Sequence, residues 1–147
     1  MKTAVYFIIL TITTSLWAQE TGCVKGACVN GKGTYVYKNG YVYEGQFVNG
    51  KKEGLGKMTM PSGEVYNGMW KADKMNGEGT YTWADGSKYK GAWKNDVREG
   101  YGIFFYPNGD KYTGYFKEDK FNGKGTYTWA DGSKQEGTYE NGEYKGK

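Results

Sequence analysis

An internal repeat constrains what this chain can fold into more than any other feature of its sequence. The motif Gly-x-Gly recurs five times, with a period of 23 residues and without insertion or deletion. The units span 31–53, 54–76, 77–99, 100–122 and 123–145, and a sixth unit begins at Gly146. A unit this short cannot bury a hydrophobic face alone, so neighbouring units must stabilise one another by stacking.

Each unit carries a turn signal at repeat positions 8 to 10, counted from the first glycine of its Gly-x-Gly motif. Both prolines of the chain stand at position 8, Asn, Asp or Ser stands at position 9, and Gly stands at position 10. Pro61-Ser62-Gly63 is one example. The pattern predicts a three-residue hairpin loop built on a type I turn, with the glycine in the left-handed position of a bulge. Such a loop pairs position 5 with position 13, so the odd positions of both strands share one face.

The odd positions are the apolar ones, which predicts an aromatic face. Position 13 is Tyr in four units and Gln135 in the fifth, and position 17 is always Phe, Trp or Tyr. Gly at position 15 is predicted to leave room for a neighbouring ring to lie across the backbone. The sequence therefore predicts an all-β fold, an elongated single-layer antiparallel sheet of stacked β-hairpins.

Composition favours a folded chain and limits the classes of partner. The chain contains 25 Gly but only 2 Pro, and the glycines recur regularly among bulky aromatic residues, unlike in disordered or collagen-like sequences. The formal net charge of +4 is too small a surplus to predict nucleic acid as a partner.

The first residues are typical of a signal peptide. Lys2 precedes an apolar run from Ala4 to Trp17, and Ala18 offers a small residue at a cleavage site. A retained membrane anchor is the alternative, but a spanning helix needs about 20 apolar residues and this run is shorter. We therefore expect residues 1–18 to be a signal peptide, and the mature protein to be secreted, periplasmic or in the cell envelope.

Cys23 and Cys28 follow the predicted signal peptide, within a segment, 19–30, that we interpret as an N-terminal half-repeat. Gly22 is expected at position 15 of that half-repeat. A close cysteine pair in an exported protein favours a disulfide, whereas a zinc site would need ligands that a chain without His does not supply. The two cysteines are expected to form a bridge that holds the terminal strand.

The second strand and the following Gly-x-Gly resemble a known repeat. Tyr66-Asn67-Gly68-Met69-Trp70 followed by Gly77-Glu78-Gly79 closely resembles the MORN (membrane occupation and recognition nexus) repeat, and the resemblance extends from about Gly31 to Gly146. It implies an elongated, twisted or curved sheet with an aromatic-lined concave face. It also implies an interaction or scaffolding module, often dimeric and in some members linked to phospholipid binding.

The sequence predicts no enzyme, no cofactor and no metal. Without His, a Ser or Cys triad of the usual kind cannot be assembled. None of the Gly-x-Gly steps continues to Gly-Lys-Ser/Thr, so their recurrence indicates structure and not phosphate binding.

Two surfaces are candidates for binding. The first is the aromatic face of the central units, where the rings either only pack on one another or also form a groove for a partner. Its residues are Tyr66, Trp70, Tyr89, Trp93, Tyr112 and Phe116. The second is a pair of lysine ladders on the opposite face, which is either a solvated surface or a site for anions. Its residues are Lys88, Lys111 and Lys134 at position 12, and Lys71, Lys94 and Lys117 at position 18.

We expect a non-catalytic protein-interaction or scaffolding module whose partner the sequence does not identify. A homodimer, formed through the exposed terminal edge or the aromatic face, is one such interaction. The alternative is a peripheral protein that binds anionic phospholipid or acidic polysaccharide through the lysine ladders.

Overall fold

The computed structural model describes residues 21–147, so the predicted signal peptide at 1–18 lies outside the described residues. The described chain forms one twelve-stranded antiparallel sheet in which each strand pairs with its neighbours in sequence. The strands are β1 (Gly22–Gly26), β2 (Gly31–Val36), β3 (Val42–Val48), β4 (Lys51–Thr59), β5 (Val65–Lys71), β6 (Lys74–Thr82), β7 (Lys88–Lys94), β8 (Val97–Phe105), β9 (Lys111–Lys117), β10 (Lys120–Thr128), β11 (Lys134–Glu140) and β12 (Glu143–Gly146). The predicted all-β, single-layer sheet of hairpins is confirmed. Within this part of the chain, no helix has the length and apolarity to cross a membrane.

The three-residue loops have the predicted geometry. Tyr35 pairs with Tyr43, and the Tyr37 amide donates to the Tyr41 carbonyl at 2.8 Å, which leaves three residues in the loop. Gly40 closes it with φ of 83°, in the left-handed region that favours glycine. The same pairing of position 5 with position 13 recurs in the other four units.

A second row of turns, at positions 19 and 20, was not predicted from the sequence. These are two-residue turns with positive φ at both residues, such as Ala72 (48°) and Asp73 (71°). Each stacks on the turn of the unit before it, where the Asp73 amide donates to the Lys52 carbonyl at 3.1 Å. The Asp73 carboxylate in turn accepts from the Lys52 amide at 2.8 Å. These bonds connect one unit to the next and hold non-glycine residues in the left-handed conformation.

A bulge follows each of these turns and changes which residues share a face. In β4, Gly56 opposes Gly45, but Glu53 opposes the next residue, Gln46. The two intervening residues of β4 have no partner on β3, and Lys52 comes to oppose Phe47. Position 22 therefore joins the aromatic face, which contains the odd positions of each hairpin.

The core is a column of tyrosines on the aromatic face. Tyr66 and its equivalents at position 13 are fully buried, with 0% exposure. The Tyr66 ring lies over Gly68 of its own strand and Gly79 of the next, so a Cβ at Gly68 would lie 2.6 Å from the Tyr66 Oη. The prediction that the position 15 glycine makes room for a ring is correct, but the ring belongs to the tyrosine of the same strand. Its hydroxyl donates to the Met69 carbonyl at 3.0 Å.

The N-terminal half-repeat has a different register from the predicted one. Gly26 opposes Gly33, and Gly22 opposes Val36, with a bulge between Cys23 and Lys25. The expected placement of Gly22 at position 15 is therefore wrong. The Cys23–Cys28 disulfide is formed, and a Cβ at Gly33 would lie 2.7 Å from the Cys28 Sγ. This sulfur covers Gly33 as the tyrosine rings cover the equivalent glycines of later units.

The last unit replaces its missing tyrosine. Gln135 stands at position 13, and the space over Gly137 is filled by Tyr144 of β12, at position 22 of the same unit. The Tyr144 hydroxyl donates to the Glu136 carbonyl at 3.1 Å. A ring therefore covers the position 15 glycine here too, although it comes from a different place in the sequence.

Candidate interaction surfaces

The six rings predicted to bind a partner are buried. Each tyrosine packs edge to face against the position 17 ring of its own unit and of the next, as Tyr66 does with Trp70 at 5.1 Å and Trp93 at 5.5 Å. Their exposures are 0% for Tyr66, Tyr89 and Tyr112, 6% for Trp70, 5% for Trp93 and 3% for Phe116. The expectation that these side chains form an exposed groove is therefore wrong, because unit-to-unit stacking covers them.

Hydrogen bonds fix these rings further. The Trp70 indole donates to the Gly56 carbonyl at 3.1 Å, and the Tyr89 hydroxyl donates to the Ala92 carbonyl at 3.0 Å. Burial raises the pKa of the Tyr66, Tyr89 and Tyr112 hydroxyls because it disfavours the phenolate. These groups remain neutral hydrogen-bond donors at physiological pH.

Two cations at position 22 cover part of the aromatic face and were missed in the sequence. The Lys52 Nζ lies 5.0 Å from the centroid of Trp70 and 3.4 Å from the Asp73 carboxylate. The Arg98 guanidinium lies 5.5 Å from the centroid of Phe116, and its Nε lies 2.9 Å from the Asp119 carboxylate. Strand alternation alone would place position 22, an even position, on the face opposite the rings. The bulge reverses this, so the sequence pattern assigns the side chain to the wrong face.

Aromatic side chains at positions 5 and 7 remain partly exposed above the buried column. In the last three units they form one continuous row, with centroids of successive rings 4.6, 5.3, 4.7, 5.8 and 5.1 Å apart. We call this row the aromatic track, and its members are Tyr81, Trp83, Phe104, Tyr106, Tyr127 and Trp129. Trp129 is 39% exposed and the others are half-buried. In the second unit the equivalent side chains are Met58 and Met60.

Acidic side chains lie along the loop end of the aromatic track. The Asp110 carboxylate accepts hydrogen bonds from the Tyr127 hydroxyl, the Asn108 amide and the Ala130 backbone at 2.8, 2.9 and 2.8 Å. These bonds, that of Tyr127 foremost, lower the pKa of Asp110. Burial, together with the bond to Asp110, raises the pKa of Tyr127 to about 12. Asp85 lies in the equivalent loop of the preceding unit, where it accepts from Ser87.

The lysine ladders lie on the opposite face, as predicted. All six side chains are exposed, namely Lys71, Lys88, Lys94, Lys111, Lys117 and Lys134. The ion pairs found in residues 21–147 involve none of them. The Asp73, Asp96 and Asp119 carboxylates instead accept from the backbone amides of Lys52, Met75 and Arg98, which lie in the strands after the preceding turns. Among the residues that the structure describes, no cluster of His, Cys, Asp and Glu has the geometry of a metal site.

Comparison with known proteins agrees with this architecture. The family described as MORN repeat matches residues 30–40, 43–65, 66–88, 89–111 and 112–134. The chain belongs to the MORN-repeat family. MORN repeats are generally modules that bind proteins or lipids, and this MORN protein is a module of that general kind.

No curated protein matches the chain. One solved structure similar to it is the TCP domain of SAS-4 (dCPAP) of Drosophila melanogaster, in complex with a proline-rich motif of Ana2 (dSTIL). The identity is 11%, the TM-score is 0.26, and the match covers 80% of this chain and 88% of the other.

Proposed function

We propose that this MORN protein is a non-catalytic protein-interaction or scaffolding module that contacts its partner through the aromatic track. The observation that carries the proposal is the unbroken row of partly exposed rings from Tyr81 to Trp129. Tyr and Trp are enriched at protein interfaces, where they contribute a large apolar area with little loss of side-chain entropy.

The buried column beneath the track makes it rigid. Tyr81 packs on Trp93 with a centroid distance of 6.0 Å, and the Arg98 guanidinium lies 5.9 Å from the Trp83 centroid. The rings are thus held in place before a partner arrives, which reduces the entropy lost on binding. The polar groups beside the track, such as Asp85 and Glu64, supply the rim that a protein interface needs.

We place this function outside the cytoplasm, in the cell envelope or the extracellular space. The Cys23–Cys28 disulfide supports this location, because such bridges persist in oxidising compartments. The predicted signal peptide at 1–18 supports it as well. Processing near Ala18 is checked by N-terminal sequencing of the protein recovered from its native compartment.

The test is affinity capture from the native envelope fraction or culture medium with three baits. They are the wild type, a Trp83→Ala/Trp129→Ala double variant, and a Leu55→Ala control, whose side chain is 59% exposed on the opposite face. A partner captured by the wild type and the control but lost with the double variant supports the proposal. A partner retained equally by all three contradicts it, provided that circular dichroism shows all three to be folded. Sedimentation velocity of the same proteins reveals whether the partner is a second copy.

The lysine ladders support a second candidate function, binding of anionic phospholipid or acidic polysaccharide. The observation that favours this second function is that all six lysines are exposed and none takes part in an ion pair within residues 21–147. Each lysine near an anionic membrane contributes about 1 kcal/mol. This function predicts that the protein binds anionic vesicles but not neutral ones. High salt should abolish the binding, and so should a Lys88→Gln/Lys111→Gln/Lys134→Gln variant. Binding unaffected by salt or by the variant would contradict it.

A further inference from the structure

Strand β8 breaks the pattern of the face opposite the aromatic rings. At positions 2, 4 and 6 the other units carry mostly Thr, Lys and Glu, whereas β8 carries Tyr101, Ile103 and Phe105. Tyr101 is 54% exposed and Phe105 is 37% exposed. Tyr115 of β9, 51% exposed, pairs with Tyr101 and its ring centroid lies 5.4 Å away. We call these four side chains the β8 patch.

The fold does not require the β8 patch. The buried cluster, on the other face, includes none of its four members. The equivalent positions in β10 are Lys124, Thr126 and Thr128, and that strand forms the same ladder. The second unit has a smaller exposed apolar pair at the same positions, Leu55 and Met69, but β8 carries three large apolar side chains along one strand. Such a group on a solvated face is typical of an interaction site.

Lysines flank the β8 patch on both sides. Phe105 has Lys88 as its cross-strand neighbour on β7 and Lys111 on β9, and Ile103 has Lys90 on β7. Lys94 and Lys117 continue the same face of these two strands. All five lysines are exposed, and none takes part in an ion pair within residues 21–147.

Carboxylates are distant from the centre of this surface. Glu78 lies on β6 and Glu136 on β11, two and three strands from β8 in the sheet order. Glu99 stands near the beginning of β8, where its carboxylate accepts from the Glu118 amide at 3.1 Å. The surface is therefore an apolar strip with a basic border on each side.

We propose that the β8 patch docks an amphipathic helix of a partner protein, with an apolar stripe flanked by Asp and Glu. β7 and β9 lie roughly 9 to 10 Å apart across β8, close to the diameter of about 10 to 12 Å of a helix. A helix lying along β8 sets its stripe on the patch and its flanks over the two lysine borders. Its carboxylates then pair with lysines on both sides, which fixes the charge of the partner.

Other occupants fit the same observations less well. A second copy packed about a two-fold axis would bring lysine borders together, which is unfavourable. Insertion into a bilayer would bring the charges of Lys88, Lys90 and Lys111 to the acyl region, because these lysines are the direct cross-strand neighbours of Ile103 and Phe105. A sugar polymer could stack on Tyr101 but makes little use of Ile103 and Phe105.

The test is selection of a displayed library of helical peptides, about 18 residues or five turns long, on the purified protein. We expect the enriched sequences to combine an apolar i, i+3, i+4, i+7 stripe with flanking Asp and Glu. A synthetic peptide of the enriched sequence should lose at least about tenfold in affinity for Tyr101→Lys/Phe105→Lys and for Lys88→Glu/Lys111→Glu. It should retain its affinity for Trp83→Ala/Trp129→Ala, which separates this surface from the aromatic track.

Three results of the peptide experiments would overturn the inference. They are enrichment of sequences without the acidic flanks, equal affinity of the enriched peptide for the patch variants, and absence of any enriched helix. The wild type will also be tested with anionic vesicles and with an acidic polysaccharide. If it binds either of them and Tyr101→Lys/Phe105→Lys abolishes that binding, the patch is assigned to that ligand instead. Thermal melting of each variant confirms that a loss of binding is not a loss of fold, since these positions lie outside the core.

Discussion

The two faces of this sheet are built from the same strands, but they differ in how much their sequences vary from unit to unit. On the aromatic face, position 13 is Tyr in four of five units and position 15 is Gly in all five. On the opposite face, position 2 is Lys32, Leu55, Glu78, Tyr101 and Lys124 in successive units. The rings of the aromatic face pack on one another and form the core, because a single-layer sheet has no second layer to pack against. The opposite face contacts only solvent or a partner.

This difference teaches where to look for function in such a repeat. Regularity on the aromatic face reflects packing, since Tyr66, Tyr89 and their equivalents are completely buried. Departures from regularity on the other face have no packing reason, and the β8 patch is the largest of them. The aromatic track lies between these cases, because its rings pack on the core below and are exposed above.

The comparison would fail if equal truncations on the two faces had equal effects. Tyr89→Ala removes a fully buried ring and should lower the free energy of unfolding by about 3 to 5 kcal/mol. Tyr115→Ala removes a ring that is 51% exposed and should change the free energy of unfolding by only about 0.5 kcal/mol. Urea denaturation followed by circular dichroism measures both.

A single methyl group tests the same difference within one strand. Gly79→Ala places a Cβ 2.6 Å from the Tyr66 Cε2, and overpacking of this kind costs about 1 to 3 kcal/mol. The matched control is Thr80→Ala, whose side chain lies on the opposite face and whose effect should stay within about 0.5 kcal/mol. If both variants had the same urea midpoint, the ring would not constrain position 3.

The disulfide tests whether the aromatic face needs a cover at its N-terminal end. Cys23→Ser/Cys28→Ser should lower stability by about 2 kcal/mol, from the entropy of a short loop. Hydrogen exchange should become faster in β1 and β2 and stay unchanged in β6 and β7, because each unit contacts only its neighbours. Faster exchange throughout the sheet would show that the bridge supports more than the terminal edge.

The smallest effect concerns Asp110, a carboxylate of the aromatic face. Its pKa is lower in the folded state than the usual value of 3.8, so its contribution to stability is complete above that value. The contribution is then lost as the pH falls through the folded pKa. The melting temperatures of the wild type and Asp110→Asn should therefore converge as the pH is lowered. Glu136→Gln is the control, since the Glu136 carboxylate accepts no hydrogen bond within the described residues.

Much of the fold could be predicted because two independent signals agreed. The Pro, Asn and Gly residues of positions 8 to 10 specified the loop, and only that loop placed the recurring aromatic positions of both strands on one face. The cysteine pair could be predicted from its spacing and context, and the lysine ladders from the alternation of a strand. These are local properties, which a sequence pattern expresses directly.

Tertiary structure decided the second turn, the bulge and the exposure of the rings. Ala72 and Glu118 adopt positive φ, and nothing in their own chemistry favours it. Bonds to the preceding unit hold them there, and the bulge then moves Lys52 and Arg98 to the aromatic face. Likewise, Trp93 is buried by Tyr66 of the unit before it. The sequence by itself determined the hairpin, but the stacking of hairpins decided which side chains a partner can contact, because burial here depends on neighbouring units.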